Sequence, residues 1–270
     1  MRGKLKKLFA AVLAVLLALS FSGCSELTGL DAQALMSPPK TTADREAIYA
    51  LMGGGVGDVT LVYPKCGDYR SAIISRDLDG CGTSEVVSFC ANGDAGGTRL
   101  EFFKKNTDGV WNSMARFTSA ATQVDKVFFG DLTGDGMDEI IVGWGDPLTA
   151  TASVSVYYVD GDTIREFSMT TVSYSEILLT DFDSDNIKEL FVLQAAQTSG
   201  EEIMALGGLY RFDGDQPYVS KTVPLDAAVT RYTSVSFSQV NSWRRAAVLD
   251  GVKADGRMLT QVIGYDEASD

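Results

Sequence analysis

The chain contains no histidine. That excludes Ser–His and Cys–His nucleophilic catalysis within the chain, and every histidine metal site. Cysteine is scarce, four in 270 residues, and no Cys-x-x-Cys pair occurs, which speaks against zinc. No glycine-rich phosphate loop with its lysine is present; the stretch Gly53–Asp58 lacks the strand before it and the helix after it. Basic residues are few, 23 Lys and Arg against 36 Asp and Glu. Without residues 1–23, which carry four basic groups and no acid, 19 basic groups face 36 acidic ones, a net charge of −17. Such a surface disfavours nucleic acid and docking of the domain on anionic lipid. It favours cation uptake, solubility or a basic partner.

A membrane-spanning apolar run is also missing. Leu8–Phe21 has fourteen residues where a spanning helix needs about twenty. With Arg2, Lys4, Lys6 and Lys7 before it, the run has the length of a signal-peptide core. The small residues Ser22-Gly23 before Cys24 resemble a bacterial lipobox. That resemblance implies removal of residues 1–23, acylation of Cys24, and anchorage on the outer side of a bacterial membrane. An ordinary secretory signal or an uncleaved anchor is the alternative. Residues 24–41, with Pro38-Pro39, read as a tether. Residues 42–55 read as a short helix, stopped by Gly53-Gly54-Gly55 and packed on the domain that follows, 56–270.

What the domain does have is a recurring acidic loop. Between two apolar runs, Phe128–Trp144 carries oxygen donors at Asp131, Thr133, Asp135 and Glu139, with the Met137 carbonyl as a further candidate. Gly136 permits a turn that a Cβ would hinder. Clustered carboxylates repel unless a cation sits among them, and Ca²⁺ takes six to eight oxygens in forgiving geometry. An EF-hand would need Glu at the twelfth place, which is Val142 here. The competing interpretation is an acidic surface turn without metal. A second copy supplies Asp181, Asp183, Asp185 and Glu189, with Asn186 at the glycine place. A poorer copy keeps Asp77, Asp79 and Glu85 but has Cys81 where the third Asp belongs. A fourth, near Val240, keeps apolar runs and loses the acids. Starts at 77, 131 and 181 are 54 and 50 residues apart.

Between the loops, 100–117, 154–169 and 207–223 each read as strand, Asp-Gly turn, strand. Each unit of about fifty residues thus holds four strands, the size of a propeller blade. This pattern resembles the FG-GAP or VCBS repeats of integrin-type β-propellers. The resemblance implies an all-β propeller of four-stranded blades, about four of them or part of a larger ring, with structural Ca²⁺ in the loops. It implies direct ligation by Asp131, Asp135 and Glu139, with Thr133 and the Met137 carbonyl assisting. It implies the same for Asp181, Asp183, Asp185 and Glu189 with the Ile187 carbonyl, and a weak or empty site at Asp77, Asp79 and Glu85. Residues 58–64 occupy the phase of a second hairpin arm, and the C-terminus stops after a first arm, so the two ends are expected to complete one blade.

No single activity follows from this pattern. The favoured expectation is a non-catalytic binding or scaffold module, membrane-attached through lipid on Cys24, with a protein or glycan ligand and no nucleic acid. A carbohydrate-active enzyme or glycan-binding protein, and an envelope assembly subunit, are the alternatives. Trp111, Trp144 and Trp243 could line a sugar surface, but packing is the expected role. Cys66, Cys81 and Cys90 allow one disulfide and a thiol, or three thiols, with Cys81 a candidate staple in place of an ion.

Overall fold

The computed structural model describes residues 42–146, 151–169, 172–199, 202–214, 216–241 and 244–265. The leader, Cys24 and the tether lie outside these residues, as does Trp243. Among the described residues no helix is long and apolar enough to cross a membrane.

The described chain is mostly β, as expected, in four antiparallel sheets of three to five strands. Sheet one is a meander of β1 (Ile73–Arg76), β2 (Glu85–Ala91), β3 (Thr98–Lys105) and β4 (Trp111–Ser119). Sheet two runs β5 (Gln123–Gly130), β6 (Glu139–Asp146), β7 (Thr151–Asp160), β8 (Thr163–Glu166), with β9 (Val172–Tyr174) also paired to β7. Sheet three runs β10 (Glu176–Thr180), β11 (Glu189–Ser199), β12 (Glu202–Asp213), β13 (Gln216–Pro224). Sheet four has three strands, β14 (Val229–Asn241), β15 (Arg244–Lys253) and β16 (Met258–Tyr265). The acidic loops join the first two strands of sheets one, two and three, and the Asp-Gly turns join their third and fourth strands.

Strand alternation gives sheets two and three one face against the preceding sheet and the other against the following one. Val87, Phe89 and Phe102 of sheet one pack with Val127, Ile140 and Tyr157 of sheet two. Ile141, Val154 and Val156 from the other face of sheet two pack with Ile177, Leu190 and Val192 of sheet three. Phe191 and Leu209 of sheet three meet Val229, Tyr232 and Leu249 of sheet four. Burial on both faces explains why these strands read as apolar runs rather than strict alternation.

Helix α1 (Ala43–Leu51) covers the remaining face of sheet one, with Ile48 and Met52 on Val86, Cys90 and Phe103. This is the packing role expected of it. Residues 58–64, however, do not complete the fourth sheet. Leu61 bridges Cys90, the Val62 N–H donates to the Phe89 carbonyl at 3.0 Å, and the Ala91 N–H donates to Thr60 at 2.8 Å. The segment therefore continues the β1 edge of sheet one where β1 is too short to reach. Buried β2 cannot leave those backbone groups unpaired.

The second residue of each acidic loop is an apolar plug: Leu78, Leu132 and Phe182 are buried at 0%, 1% and 5% exposure. Each sits in the core cluster its sheet shares with the next. Leu132→Ala should cost about 2–5 kcal/mol in urea unfolding, as for other buried leucines. Val262→Ala on exposed β16 should stay within about 0.5 kcal/mol.

Candidate metal centre

The loops are built alike. Residues 131–140 and 181–190 show the same burial position by position. The first Asp of each loop knits the turn. The Asp131 carboxylate accepts the N–H groups of Gly134 at 2.6 Å and Gly136 at 2.9 Å. Asp181 accepts those of Ser184 at 2.5 Å and Asn186 at 3.1 Å, and Asp77 that of Gly82 at 2.9 Å. These bonds need two left-handed residues, and the fourth and sixth places have φ of 80° and 83° at Gly134 and Gly136, and 71° and 70° at Ser184 and Asn186. Asn186 thus takes the conformation expected of it, and Ser184 holds one that costs a side-chain-bearing residue about 1 kcal/mol or more. The fifth acids, Asp135 and Asp185, each accept the N–H two residues on, at 2.8 Å.

Each loop closes on a buried glutamate. Glu85, Glu139 and Glu189 begin the second strand at 0%, 2% and 2% exposure. Each accepts the N–H of the plug residue seven positions earlier: Leu78 at 2.9 Å, Leu132 at 2.7 Å, Phe182 at 2.8 Å. Successive loops also touch. The Asp138 N–H donates to the Leu78 carbonyl at 3.1 Å, and the Lys188 N–H to the Asp131 carbonyl at 2.8 Å. Arg76 pairs with Asp138 at 2.5 Å. A Cβ on Gly134 would lie 2.7 Å from Ile187 of the next loop.

The predicted donors gather unevenly. Ligand atoms of Asp181, Asp183 and Glu189 lie within 4.8 Å of one another, as do those of Asp77, Asp79 and Cys81. Asp131, Asp135 and Glu139 do not form such a trio: the third place is Thr133, and the fifth acid stays outside the cluster in this loop as Asp185 does in the next. Oxygen donors of the hard type that Ca²⁺ takes are nevertheless present in the middle loop, and the Thr133 Oγ1 is shielded and has no hydrogen-bond partner. That donor set fits a calcium ion. The other two loops already hold a cation of the protein's own. Lys104 Nζ lies 2.5 Å from Asp79 and 3.7 Å from Glu85. The Arg211 guanidinium pairs with Asp183 and lies 2.9 Å from Glu189. Neither base was singled out in the sequence, although both stand in hairpin first arms just before the turn, as FFKK and LYRF.

Electrostatics follow this division. Burial pushes Glu139 up to about 8 against the Leu132 N–H, with Asp135 and Asp131 adding to the shift. Burial also raises Glu189, to about 7, with the Phe182 N–H and Arg211 opposing. Burial raises Asp79 as well, but bonds from Cys81 and Lys104 outweigh it and bring it down to about 2.

Other candidates resolve as packing. Trp144 lies in the core, and the Trp111 Nε1–H donates to Asp44 at 3.0 Å under Lys105. Cys66, Cys81 and Cys90 are all free, so Cys81 staples nothing. The Cys66 thiol donates to Asp125 at 3.1 Å, and burial together with that bond pushes it up to about 11, away from nucleophilic use. An apolar cleft between sheets three and four, lined by Phe191, Leu209, Val223 and Ile263, contains no carboxylate among its described residues. No protein-family model matches the chain, and no curated protein matches it.

A carboxyl whose folded pKa is raised stabilises most below its unfolded value and loses that contribution as pH rises through the folded value. In chelator, melting temperature should therefore fall as pH rises from about 4.5 to 8. Glu139→Gln should flatten the slope, leaving the smaller part due to Glu189. A profile unchanged by Glu139→Gln would contradict the assignment.

Proposed function

We propose that the chain is a lipid-anchored bacterial envelope protein whose domain is a calcium-stabilised β-propeller of four-stranded blades. It acts as a non-catalytic binding or scaffold module. The single observation that carries this reading is the repeated unit: strand, acidic loop, strand, Asp-Gly hairpin, in three successive sheets with matching loop hydrogen bonds. Ca²⁺ in such a loop would neutralise acids that are pinned next to the inter-sheet core, and so hold neighbouring blades together. Asp131, Thr133, Asp135 and Glu139, with the Met137 carbonyl, are the residues that would hold it. The lipobox-like Cys24 and the tether support attachment to the outer face of a membrane, where millimolar calcium would make weak sites usable. A catalytic role finds less support, since the clustered acids are committed to turn hydrogen bonds and ion pairs and two of the tryptophans to packing.

Calcium should raise the melting temperature of the full chain over that in chelator, and Asp135→Asn should remove most of the difference. A difference of about 3 kcal/mol corresponds to calcium at roughly a hundred times its dissociation constant. Equal melting in calcium and chelator would count against the calcium reading. Cys24→Ser should release the protein from the membrane fraction without altering its melting.

A further inference from the structure

Sheets one, two and three can be superposed by register, and one position then changes in step with another. Opposite the first residue of the second strand stands a third-strand residue. Phe103 pairs with Val86, so Lys104 faces Glu85; Tyr210 pairs with Leu190, so Arg211 faces Glu189; Tyr157 pairs with Ile140, so Tyr158 faces Glu139. Where this residue is a base, the third loop residue is an acid, Asp79 or Asp183. Where it is Tyr158, the third loop residue is Thr133. The two sheets with a base also share a register shift at the same place on the hairpin, between Phe102 and Phe103 and between Leu209 and Tyr210. A bulge there increases local twist and re-aims neighbouring side chains. Tyr158 instead packs on Phe167, ring centroids 4.4 Å apart.

We infer that Lys104 and Arg211 are built-in replacements for a metal ion in the first and third loops, which confines calcium to the middle loop. A cation between Asp183 and Glu189 would have to lie where the Arg211 guanidinium already bonds both. Lys104 stands in the corresponding place, bonded to Asp79 and 3.7 Å from Glu85, whose Oε1, like Asp77 Oδ1, takes no hydrogen bond. The ligand trio of the third loop, which looks the best metal site by proximity alone, is therefore gathered by an arginine. A fixed guanidinium serves as well as an ion in closing the loop, and it does so without dependence on the calcium supply. This inference rests on the proposed calcium reading only for the middle loop; the Arg211 assignment stands on its own contacts.

The test counts calcium bound to the full chain after removal of free ion, and follows melting in calcium and in chelator. The variants are Asp135→Asn, Asp185→Asn and Arg211→Met. The native chain should hold a single ion, lost in Asp135→Asn and kept in Asp185→Asn. Arg211→Met should lower melting in chelator by roughly 5 °C, as expected when the base is removed and the buried Glu189 carboxylate is left without it. It should also gain a second ion that restores part of the loss. More than one ion in the native chain, or loss of the ion in Asp185→Asn, would overturn the inference while leaving the calcium reading intact. So would an Arg211→Met protein that neither loses stability nor gains an ion. No ion in the native chain would overturn the confinement to the middle loop and the calcium reading with it, and Arg211→Met would still decide whether the guanidinium holds the third loop.

Discussion

A buried glutamate that holds a backbone N–H seven residues away is the contact on which the architecture turns. Glu85, Glu139 and Glu189 each do this, and the N–H belongs each time to the residue plugging the space between two sheets. A carboxylate taken out of water is costly, so it persists only where the geometry satisfies it. The N–H it accepts would otherwise be an orphan donor inside the core. The glutamate therefore fixes loop conformation and inter-sheet packing together: if the carboxylate turned away, the plug would lose its anchor and the cluster its filler.

From that contact the remaining loop chemistry follows. Pinning one acid at the base of the loop brings it near two others, and their repulsion must be relieved. The first Asp is relieved by backbone N–H groups of the turn, at the cost of two left-handed residues. The third place is relieved by a base from the hairpin when it is Asp. Between loops, the Asp138 and Lys188 N–H groups join each turn to the one before. The acids of the loops, which look like a surface feature in the sequence, are thus spent on internal connections.

Much of this could be read in the sequence. The three strand–loop–strand units, the Asp-Gly hairpins and the conformation of Asn186 followed from short-range patterns, because turns and strands are specified locally. The helix on sheet one followed from its apolar face. What escaped were pairings that cross from one local unit to another. Lys104 and Arg211 reach loops 25 and 28 residues away, and nothing near either residue announces a partner. Repeat phase gives residues 58–64 to the last blade, whereas their position is decided by β1, which begins only at Ile73 and leaves the end of β2 in need of a neighbour. The free state of Cys81 belongs to the same class, since only the fold determines which thiols meet.

The fourth sheet has no acidic loop between its first two strands. Each acidic loop lies between the first two strands of a sheet, and its plug fills the cluster shared with the following sheet. The described residues contain three such sheet-to-sheet clusters and three acidic loops. Among the described residues no further sheet packs beyond sheet four. In place of a nine-residue loop, β14 and β15 run long, 13 and 10 residues, and are separated only by residues 242–243. Arg245 of β15 still reaches back toward the Asp181 carbonyl at 3.5 Å, so a side chain takes over a link that backbone N–H groups make elsewhere. Among the described residues the acidic loops thus accompany the three sheets that another sheet follows, and the fourth unit keeps only its strands.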